Sequence, residues 1–259
     1  MNFIKRLLLA LLGEKKYLSL LASTYQFFFR KKWLGNNYQD VFFLKEIIEP
    51  GSYCADIGAH LGYYTIELSK LVTDSGKVIA IEPMSKFNEV LKAVIKKENR
   101  KNIEVLQVAL GGDGEYVEMG IPKINRMKRF AYARIMKASM HLEYMETEKI
   151  KNVSGDALFK DLPRLDFIKC DVEGMEVPVF KSMMETLEKH QPILLCELAD
   201  REERIKLYEM LMLTGYQVYL LKENKLHFAD VYVGTEAISH NHYFIPIEHE
   251  QRLKHLIAK

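Results

Sequence analysis

The stretch YCADIGAHLG, residues 53–62, decides which fold this sequence predicts. It contains the end of a short apolar strand, residues 52–57, and a glycine turn that leads into a helix over residues 61–72. A buried strand that enters a helix through a glycine turn is typical of the first unit of a doubly wound α/β sheet. Gly58 allows the tight turn, and Gly62 allows the next helix or a ligand to lie close to the backbone.

Strands and helices continue to alternate along the rest of the chain. Further strands are predicted over residues 77–81, 103–110, 165–170, 193–196, 216–221 and 243–247, with a hairpin near Asn224. Further helices are predicted over residues 40–49, 177–189 and 201–214, and from Ser85 onward. Buried apolar strands separated by amphipathic helices predict an α/β fold, in which a Rossmann-like, mostly parallel sheet of seven strands is covered on both faces.

The composition excludes several classes of protein. Of the 259 residues, 48% are hydrophobic, 14 are Gly and 7 are Pro, so the chain is neither collagenous nor disordered. The net charge is only +2, so no strong positive field favours nucleic acid as a partner. Cys54, Cys170 and Cys196 lie in apolar runs without a metal-binding spacing. We expect buried thiols in a reducing compartment, which predicts a cytoplasmic protein.

Residues 1–34 form a basic and apolar segment ahead of the domain predicted over residues 35–259. They carry seven basic and one acidic side chain, a net charge of +6. Their apolar runs are shorter than the ~20 residues that span a membrane, and charged residues follow the first run where a signal peptide would have small ones. The segment is therefore predicted to be helical. It is either a cap on the main domain or a peripheral helix on the inner surface of an anionic membrane.

Two acidic residues follow consecutive strands of the predicted sheet. Asp56 stands two residues before Gly58, and Glu82 ends the next strand, 26 residues after Asp56. Ligands of such sheets bind beyond the carboxyl ends of the strands, where a carboxylate can accept hydrogen bonds from both hydroxyls of a ribose. The turn has no G-x-G-x-x-G fingerprint, and Asp56 would repel a diphosphate. S-adenosylmethionine, which is cationic, therefore fits better than NAD.

Four stretches at the ends of predicted strands are YCADIGAHLGYYT (residues 53–65), VIAIEP (78–83), DFIKCDVEGME (166–176) and PILLCE (192–197). Together they resemble the FkbM-type S-adenosylmethionine-dependent methyltransferases. The resemblance extends from about residue 40 to about residue 246, and the DVEG block is its most specific part. It implies a class I methyltransferase fold with an antiparallel last strand, and methyl transfer that commonly goes to a hydroxyl oxygen.

The resemblance also implies which residues hold the cofactor. The predicted cofactor-binding residues are Asp56, Gly58, His60, Gly62, Glu82 and Asp171. Of these, Asp56 and the two glycines map to the methionine-binding turn and Glu82 to the ribose, while His60 stands where the family usually has Asn. Asp156 lies in a segment that only partly matches the acidic segment before the fourth strand, so it is a weaker candidate.

Three carboxylates are the predicted catalytic residues. Asp171 ends the fourth strand, Glu173 follows two residues later, and Glu197 ends the fifth strand. Crowded carboxylates raise the pKa of at least one member, which suits a general base that takes the proton of an alcohol. The same oxygens could instead bind a divalent cation, or Glu173 and Glu197 could cap helices. His60 and His190 are further candidate bases, although a lone histidine is more often structural.

A basic stretch interrupts the predicted sheet between the third and fourth strands, around residues 120–150. Its basic side chains are Lys123, Arg126, Lys128, Arg129, Arg134 and Lys137. The stretch is either the solvated face of a helix or a lid that binds an anionic acceptor, such as a nucleotide sugar or an acidic glycan. RNA is a less suitable partner, because the basic run is short.

The sequence as a whole predicts an S-adenosylmethionine-dependent O-methyltransferase that acts on a hydroxyl of a carbohydrate or related small molecule. Two other classes stay open, a nicotinamide-dependent oxidoreductase and a non-catalytic binding module with the same fold. The missing third glycine disfavours the oxidoreductase. The presence of Asp56, Glu82 and Asp171 together disfavours the binding module.

Overall fold

The structure is a computed structural model that describes residues 2–31, 33, 39–124, 127–136, 142–198, 200–230 and 240–258. Its strands are β1 (Tyr53–Ile57), β2 (Lys77–Ile81), β3 (Ile103–Leu106), β4 (Ala109–Leu110), β5 (Tyr116–Ile124), β6 (Met127–Lys128), β7 (Arg134–Ile135), β8 (Tyr144–Val153), β9 (Phe167–Cys170), β10 (Ile193–Glu197), β11 (Tyr216–Lys222), β12 (Lys225–Phe228) and β13 (Asn241–Pro246). Its α-helices are α1 (Asn2–Lys31), α2 (Gln39–Phe43), α3 (Tyr63–Val72), α4 (Ser85–Lys97), α5 (Gly155–Phe159), α6 (Glu176–Lys181), α7 (Met184–His190), α8 (Arg201–Met212) and α9 (Ile247–Leu253).

In the described part of the chain, the main sheet has eight strands in the order β12-β11-β13-β10-β9-β1-β2-β3. The strands from β10 to β3 pair in parallel, and β13 is antiparallel to both β10 and β11. The predicted α/β fold, with a mostly parallel sheet and a reversed last strand, is therefore confirmed. One strand more than the predicted seven is present, because Glu223 and Asn224 adopt φ angles of 52° and 58° and form a two-residue hairpin turn between β11 and β12.

Successive residues of β1 point to opposite faces of the sheet, and helices cover both faces. Ala55 and Ile57 pack in a cluster with residues of α6, α7 and α8, whereas Cys54 packs with residues of α2 and α3. Strands buried on both faces carry few polar side chains, which explains the apolar runs in β1, β2 and β9. Parallel pairing brings the carboxyl ends of β1, β2, β9 and β10 to one edge of the sheet.

Two predicted elements end earlier than expected. The strand predicted over residues 103–110 ends as β3 at Leu106, because its register partner Ile81 is the last residue of β2. The chain then enters a second sheet as β4. The helix predicted over residues 40–49 is the short α2 followed by a 3₁₀ turn, Leu44–Glu46.

The helix predicted over residues 177–189 is wrong, because the chain forms two helices there, α6 and α7. Ser182 lies between them, and its hydroxyl donates to the Val179 carbonyl at 2.7 Å and accepts the Gly155 N–H at 3.0 Å. A serine hydroxyl that bonds to a nearby carbonyl competes with the helical backbone pattern. Pro178 is tolerated because it lies in the first turn of α6, where its missing N–H is not needed.

The insertion between β3 and β9 forms a second sheet, with strands in the order β4-β8-β5-β6 and β7 beside β5. Strands β5 and β8 make a long antiparallel pair. Val117, Met119 and Ile121, at alternate positions of β5, pack against a cluster that contains residues of α4. The prediction that the basic stretch is the solvated face of a helix is therefore wrong for the residues that the structure describes. Arg126 and Lys137 lie outside the described residues.

Helix α1 packs against α4 and the insertion. Its two halves meet at Gly13, whose φ of 73° and ψ of 165° are not helical. Leu18 and Ala22 are fully buried in the cluster that contains Phe87 and Leu91 of α4. Among the residues that the structure describes, no helix combines the length and the apolar character needed to cross a membrane.

Candidate active site

A cavity of about 560 Å³ lies at the carboxyl ends of β1, β2, β9 and β10, where ligands of doubly wound sheets bind. Its volume is within the ~300–1,000 Å³ typical of small-molecule sites. The insertion contributes Met119, Ile135 and residues 130–133 to the lining. The acidic, lysine and histidine side chains of the lining are Asp56, His60, Glu82, Lys169, Asp171, Glu173, Glu197 and His240.

The glycine turn after β1 lies directly against the end of β9. Gly58 has a φ of 85°, and a Cβ atom at this position would lie 1.9 Å from the carbonyl oxygen of Asp171. The Ile57 carbonyl accepts the Asp171 N–H, and the Ile81 carbonyl accepts the N–H groups of Gly58 and Ala59, all at 3.0 Å. Only glycine meets both the backbone conformation and the close contact, so the turn joins three strand ends tightly.

Asp56 is a buried carboxylate in the wall of this cavity. The Thr65 hydroxyl donates a hydrogen bond of 2.5 Å to its Oδ2. Burial raises the pKa of Asp56 to about 6, although the hydrogen bond from Thr65 lowers it. Its register partner on β9 is Lys169, so a carboxylate and an ammonium group stand on neighbouring strands.

Glu82 follows β2 and is held by the backbone of two turns. Its Oε2 accepts the N–H of His60 at 2.8 Å, and its Oε1 accepts the N–H of Met84 at 2.9 Å. Burial raises the pKa of Glu82 to about 8, although both N–H groups favour the ionised form. Each carboxylate oxygen still has a lone pair for a hydroxyl donor, so the two backbone contacts orient Glu82 without using up its capacity.

Asp171 follows β9, and Glu197 is the last residue of the neighbouring strand β10, where Cys196 is the register partner of Cys170. The Nζ atom of Lys169 lies 3.8 Å from Oδ2 of Asp171. Partial burial raises the pKa of Glu197 to about 7, and the charge of Asp171 adds to this rise while Lys169 opposes it. A carboxylate that titrates near neutral pH beside a second carboxylate is typical of a general base.

Lys169 is a charged residue of the cavity that the sequence analysis misses. It is 1% exposed, it lines the cavity, and its Nζ lies 5.1 Å from the centre of the Tyr64 ring. Burial disfavours the ammonium charge, but the charges of Asp171, Tyr64 and Glu197 together raise its pKa above the ordinary value. The signal was a lysine in an apolar strand, two residues before Asp171 and therefore on the same face.

Residues 56–230 match the family model of the methyltransferase FkbM domain, which is more than half of the chain. The chain belongs to the FkbM methyltransferase family. FkbM membership confirms the resemblance in the sequence, and it assigns the chain to the S-adenosylmethionine-dependent methyltransferases. It disfavours the nicotinamide-dependent oxidoreductase.

Solved structures of methyltransferases are similar to this FkbM chain at low identity. The FkbM methyltransferase of Methylobacillus flagellatus KT is 19% identical with a TM-score of 0.48, over 77% of this chain and 48% of that one. The precorrin-6y C5,15-methyltransferase of Geobacter metallireducens GS-15 is 14% identical with a TM-score of 0.46, over 79% and 84%. The fibrillarin of Aeropyrum pernix, with natively bound S-adenosyl-L-methionine, is 11% identical with a TM-score of 0.44, over 81% and 74%. A search of curated protein sequences gives no significant match.

His60 lies in the glycine turn of the FkbM domain with a φ of 46°. Its ring centre is 4.4 Å from that of Phe87, and its buried Nε2 has no hydrogen-bond partner among the described residues. Burial lowers the pKa of His60 to about 4. A neutral imidazole with an unpaired nitrogen in the cavity lining can donate to or accept from a ligand, but it is a poor base at neutral pH.

Gly62 is not part of the cavity lining, although it is a predicted cofactor-binding residue. It is the N-cap of α3 with a φ of 84°, and a Cβ atom there would lie 2.6 Å from Leu91 Cδ1 of α4. Gln26 of α1 donates to its carbonyl at 3.5 Å. In the structure, Gly62 therefore allows helices to pack closely.

Glu173 stands at the rim of the cavity in a left-handed conformation, with a φ of 55°. Arg134 of β7 binds its Oε2 at 2.9 Å. Partial burial, and then the charge of Asp171, raise the pKa of Glu173 to about 7. The loop itself is held by Glu176, whose carboxylate accepts the N–H groups of Val172 and Gly174, each at 3.1 Å.

Two weaker candidates lie away from the cavity. Asp156 accepts the N–H and the hydroxyl of Thr186, both at 2.7 Å, so it holds the first turn of α7. His190 belongs to the last turn of the same helix, and partial burial lowers its pKa. Neither residue lines the cavity.

Three side chains of the predicted basic stretch, Lys123, Lys128 and Arg134, are paired with carboxylates of the same chain. Lys123 binds Glu143 at 2.6 Å, and Arg134 binds Glu173 as described. Lys128 is bound by acidic side chains of α1 and β8, Glu14 and Glu146. Among the described residues, no group of three or more His, Cys, Asp or Glu side chains is placed to hold a metal ion.

Proposed function

We propose that this FkbM methyltransferase methylates a hydroxyl oxygen of a carbohydrate or related small molecule. The observation that carries the proposal is the pair Asp171 and Glu197 beside Lys169 in the cavity wall. An alcohol loses its proton only at high pH, so O-methylation needs a base at the acceptor. Glu197, with a pKa of about 7, is ionised often enough at neutral pH to accept that proton.

The cavity residues fit S-adenosylmethionine, which supplies a methyl group bonded to a positively charged sulfur. Asp56 would attract the cationic methionine part, and Glu82 would accept hydrogen bonds from the ribose hydroxyls. Gly58 allows the turn that carries His60 to lie directly against Asp171. His60 offers its unpaired Nε2, and Asp171 places a second negative charge near the cationic centre.

In the proposed reaction, Glu197 or Asp171 accepts the O–H proton of the acceptor. When bound, S-adenosylmethionine would supply the methyl group to the deprotonated oxygen, with S-adenosylhomocysteine as the leaving group. Lys169 is a positioning residue, because its ammonium group favours the ionised form of Glu197 and lies 3.8 Å from Oδ2 of Asp171. Glu173 stands at the rim and is the third predicted catalytic residue.

The acceptor is proposed to be a small molecule or glycan that carries an anionic group. Arg134 is the basic side chain of the insertion next to the rim, and it is held there by Glu173. An acidic acceptor would compete with Glu173 for this guanidinium, which forms paired hydrogen bonds with phosphate and carboxylate groups. The net charge of +2 gives no strong positive field that would attract the phosphates of a nucleic acid.

A screen with methyl-labelled S-adenosylmethionine tests the proposal. Monosaccharides, nucleotide sugars, acidic oligosaccharides, amines and carboxylic acids are offered as acceptors, and we expect label only on hydroxyl-bearing compounds. Asp171→Asn should lower kcat ~10²-fold or more while S-adenosylmethionine affinity changes only a few-fold. Label on amines alone would contradict the proposal, and binding of the cofactor without transfer to any acceptor would favour the non-catalytic module.

Two controls separate the alternatives within this proposal. If Asp171 binds a divalent cation instead, activity is lost with a chelator and restored by Mg²⁺ or Mn²⁺. If Arg134 binds an anionic acceptor, Arg134→Gln raises KM for acidic acceptors but not for neutral ones.

A cytoplasmic location is proposed because Cys170 and Cys196 are register partners that remain free thiols.

A further inference from the structure

Helix α1 has an apolar side that faces away from the rest of the protein. Its residues, which we call the outer stripe, are Ile4, Leu7, Leu11, Leu20 and Phe27. Their exposed fractions are 64%, 47%, 72%, 46% and 48%. Large apolar side chains that are exposed in a row on one element mark an interaction surface, whereas scattered ones do not.

Both halves of α1 pack on the same cluster, so both parts of the outer stripe point away from it. Leu9 of the first half and Leu18 and Ala22 of the second half contact this cluster. Ile4, Leu7 and Leu11 have the spacing of one helix face in the first half, opposite to Leu9. Both halves on either side of Gly13 thus pack on this cluster, while the outer stripe stays exposed to solvent.

The basic residues of α1 divide between the two sides. Lys15 and Arg30 turn toward α4, where Glu89 and Glu98 bind them at 2.7 Å each. Lys16 and Lys31 are exposed and form no ion pair within the described part of the chain. At 100° per residue, these two lysines lie on the same face as Leu20 and Phe27.

Trp33 extends the same surface beyond the helix. Its side chain is 68% exposed, and its ring centre lies 6.1 Å from that of Phe27. Trp side chains are favoured at the boundary between lipid and water, where an apolar ring and a polar N–H are both accommodated.

We propose that the outer side of α1 lies on an anionic membrane surface, with the outer stripe inserted among the lipids and Lys16 and Lys31 at the headgroups. Apolar side chains between unpaired lysines on one helix face complement such a surface. A second copy of the chain is a worse partner, because each segment 1–34 carries a net charge of +6 and two of them repel. The inner side of α1 keeps its contacts with α4, so binding needs no unfolding.

Co-sedimentation of the full chain with vesicles tests this proposal. We expect binding to vesicles of phosphatidylglycerol and phosphatidylcholine, and much weaker binding to phosphatidylcholine alone. The triple variant Leu11→Ser, Leu20→Ser, Phe27→Ser should bind the anionic vesicles at least about tenfold more weakly. Lys16→Glu with Lys31→Glu should weaken binding to the anionic vesicles and leave the residual binding to neutral ones unchanged.

Matched variants elsewhere on the surface give the controls. Met212→Ser with Leu213→Ser removes two exposed apolar side chains of the main domain and should leave vesicle binding unchanged. Every variant should keep its melting temperature and its S-adenosylhomocysteine affinity, because the changed side chains are exposed.

Three results would overturn the membrane proposal. The full chain could stay in the supernatant with anionic vesicles at low salt, or the triple variant could bind as well as the wild type. The wild type could also form a dimer that the triple variant abolishes, which would assign the outer stripe to contact between copies of the chain.

Discussion

Glu82 is a buried carboxyl whose ionisation is coupled to folding. Its pKa is about 8 in the folded protein, against ~4.3 for an unperturbed Glu. The stability that the protonated group contributes is fully present below the lower value and is lost as pH rises through about 8. The melting temperature of the ligand-free protein should therefore fall from pH 5 to pH 8. Glu82→Gln should flatten this slope in a thermal-shift series, while the exposed control Glu188→Gln should not.

The same group should make cofactor binding depend on pH. Ionised Glu82 accepts hydrogen bonds from ribose hydroxyls better than the protonated form, so S-adenosylhomocysteine affinity should rise from pH 6 to pH 8. Charge-assisted hydrogen bonds contribute ~1.5–3 kcal/mol, so Glu82→Gln should weaken binding about tenfold or more. Calorimetry in buffers of different ionisation enthalpy would detect the released proton. Equal affinity of variant and wild type would remove Glu82 from the ribose site.

At the scale of elements, the contact between the β1 turn and β9 depends on Gly58. Gly215 provides a matched control, because its φ is also +85° but a Cβ atom there would meet nothing within 4 Å. Gly215→Ala should lower the free energy of unfolding by ~1–2 kcal/mol for the left-handed conformation alone. Gly58→Ala should lower the free energy of unfolding by ~1–3 kcal/mol more than Gly215→Ala does, because the new methyl group displaces Asp171. Chemical denaturation of both variants measures the difference, and equal losses would contradict the close contact.

The elements also show how far the sequence could predict this molecule. The alternation of strands and helices predicts a parallel sheet, and this is enough to place Asp56, Glu82 and the end of β9 at one edge. The structure brings them into one cavity. The β-sheet of the insertion was readable from the alternation of Val117, Met119 and Ile121, but the run of basic residues suggested a helix face instead.

Contacts that depend on tertiary packing were not readable in this way. Ser182, between α6 and α7, accepts a hydrogen bond from Gly155, which is 27 residues away and packs there only in the folded chain. Gly62 has the same local sequence signal as a ligand-binding glycine, yet it contacts Leu91 of another helix. Such roles are set by which element packs nearby, and a local pattern does not contain that information.

At the scale of the whole molecule, α1 contributes to stability through one side only. Leu18 is fully buried, whereas Leu20, two residues later, is 46% exposed. Leu18→Ala should lower the free energy of unfolding by ~2–5 kcal/mol and leave vesicle binding per folded molecule unchanged. Leu20→Ala should change stability by less than ~0.5 kcal/mol and weaken vesicle binding. Urea denaturation of the two variants checks this, and similar losses would mean that α1 does not pack as described.

The ion pairs of α1 join residues that are made at different times during translation. Glu14 is bound by Lys86 and Lys128, and Glu146 binds the same two lysines. The helix therefore needs partners that follow Glu14 by up to 132 residues. At ~5–20 residues per second, translation supplies the last of them on the order of ten seconds after the helix. The inner apolar side of α1 is uncovered until α4 has been made, and the outer stripe is exposed throughout. A nascent chain that pauses before α4 is complete therefore exposes both apolar sides of the helix to chaperones and to nearby lipid.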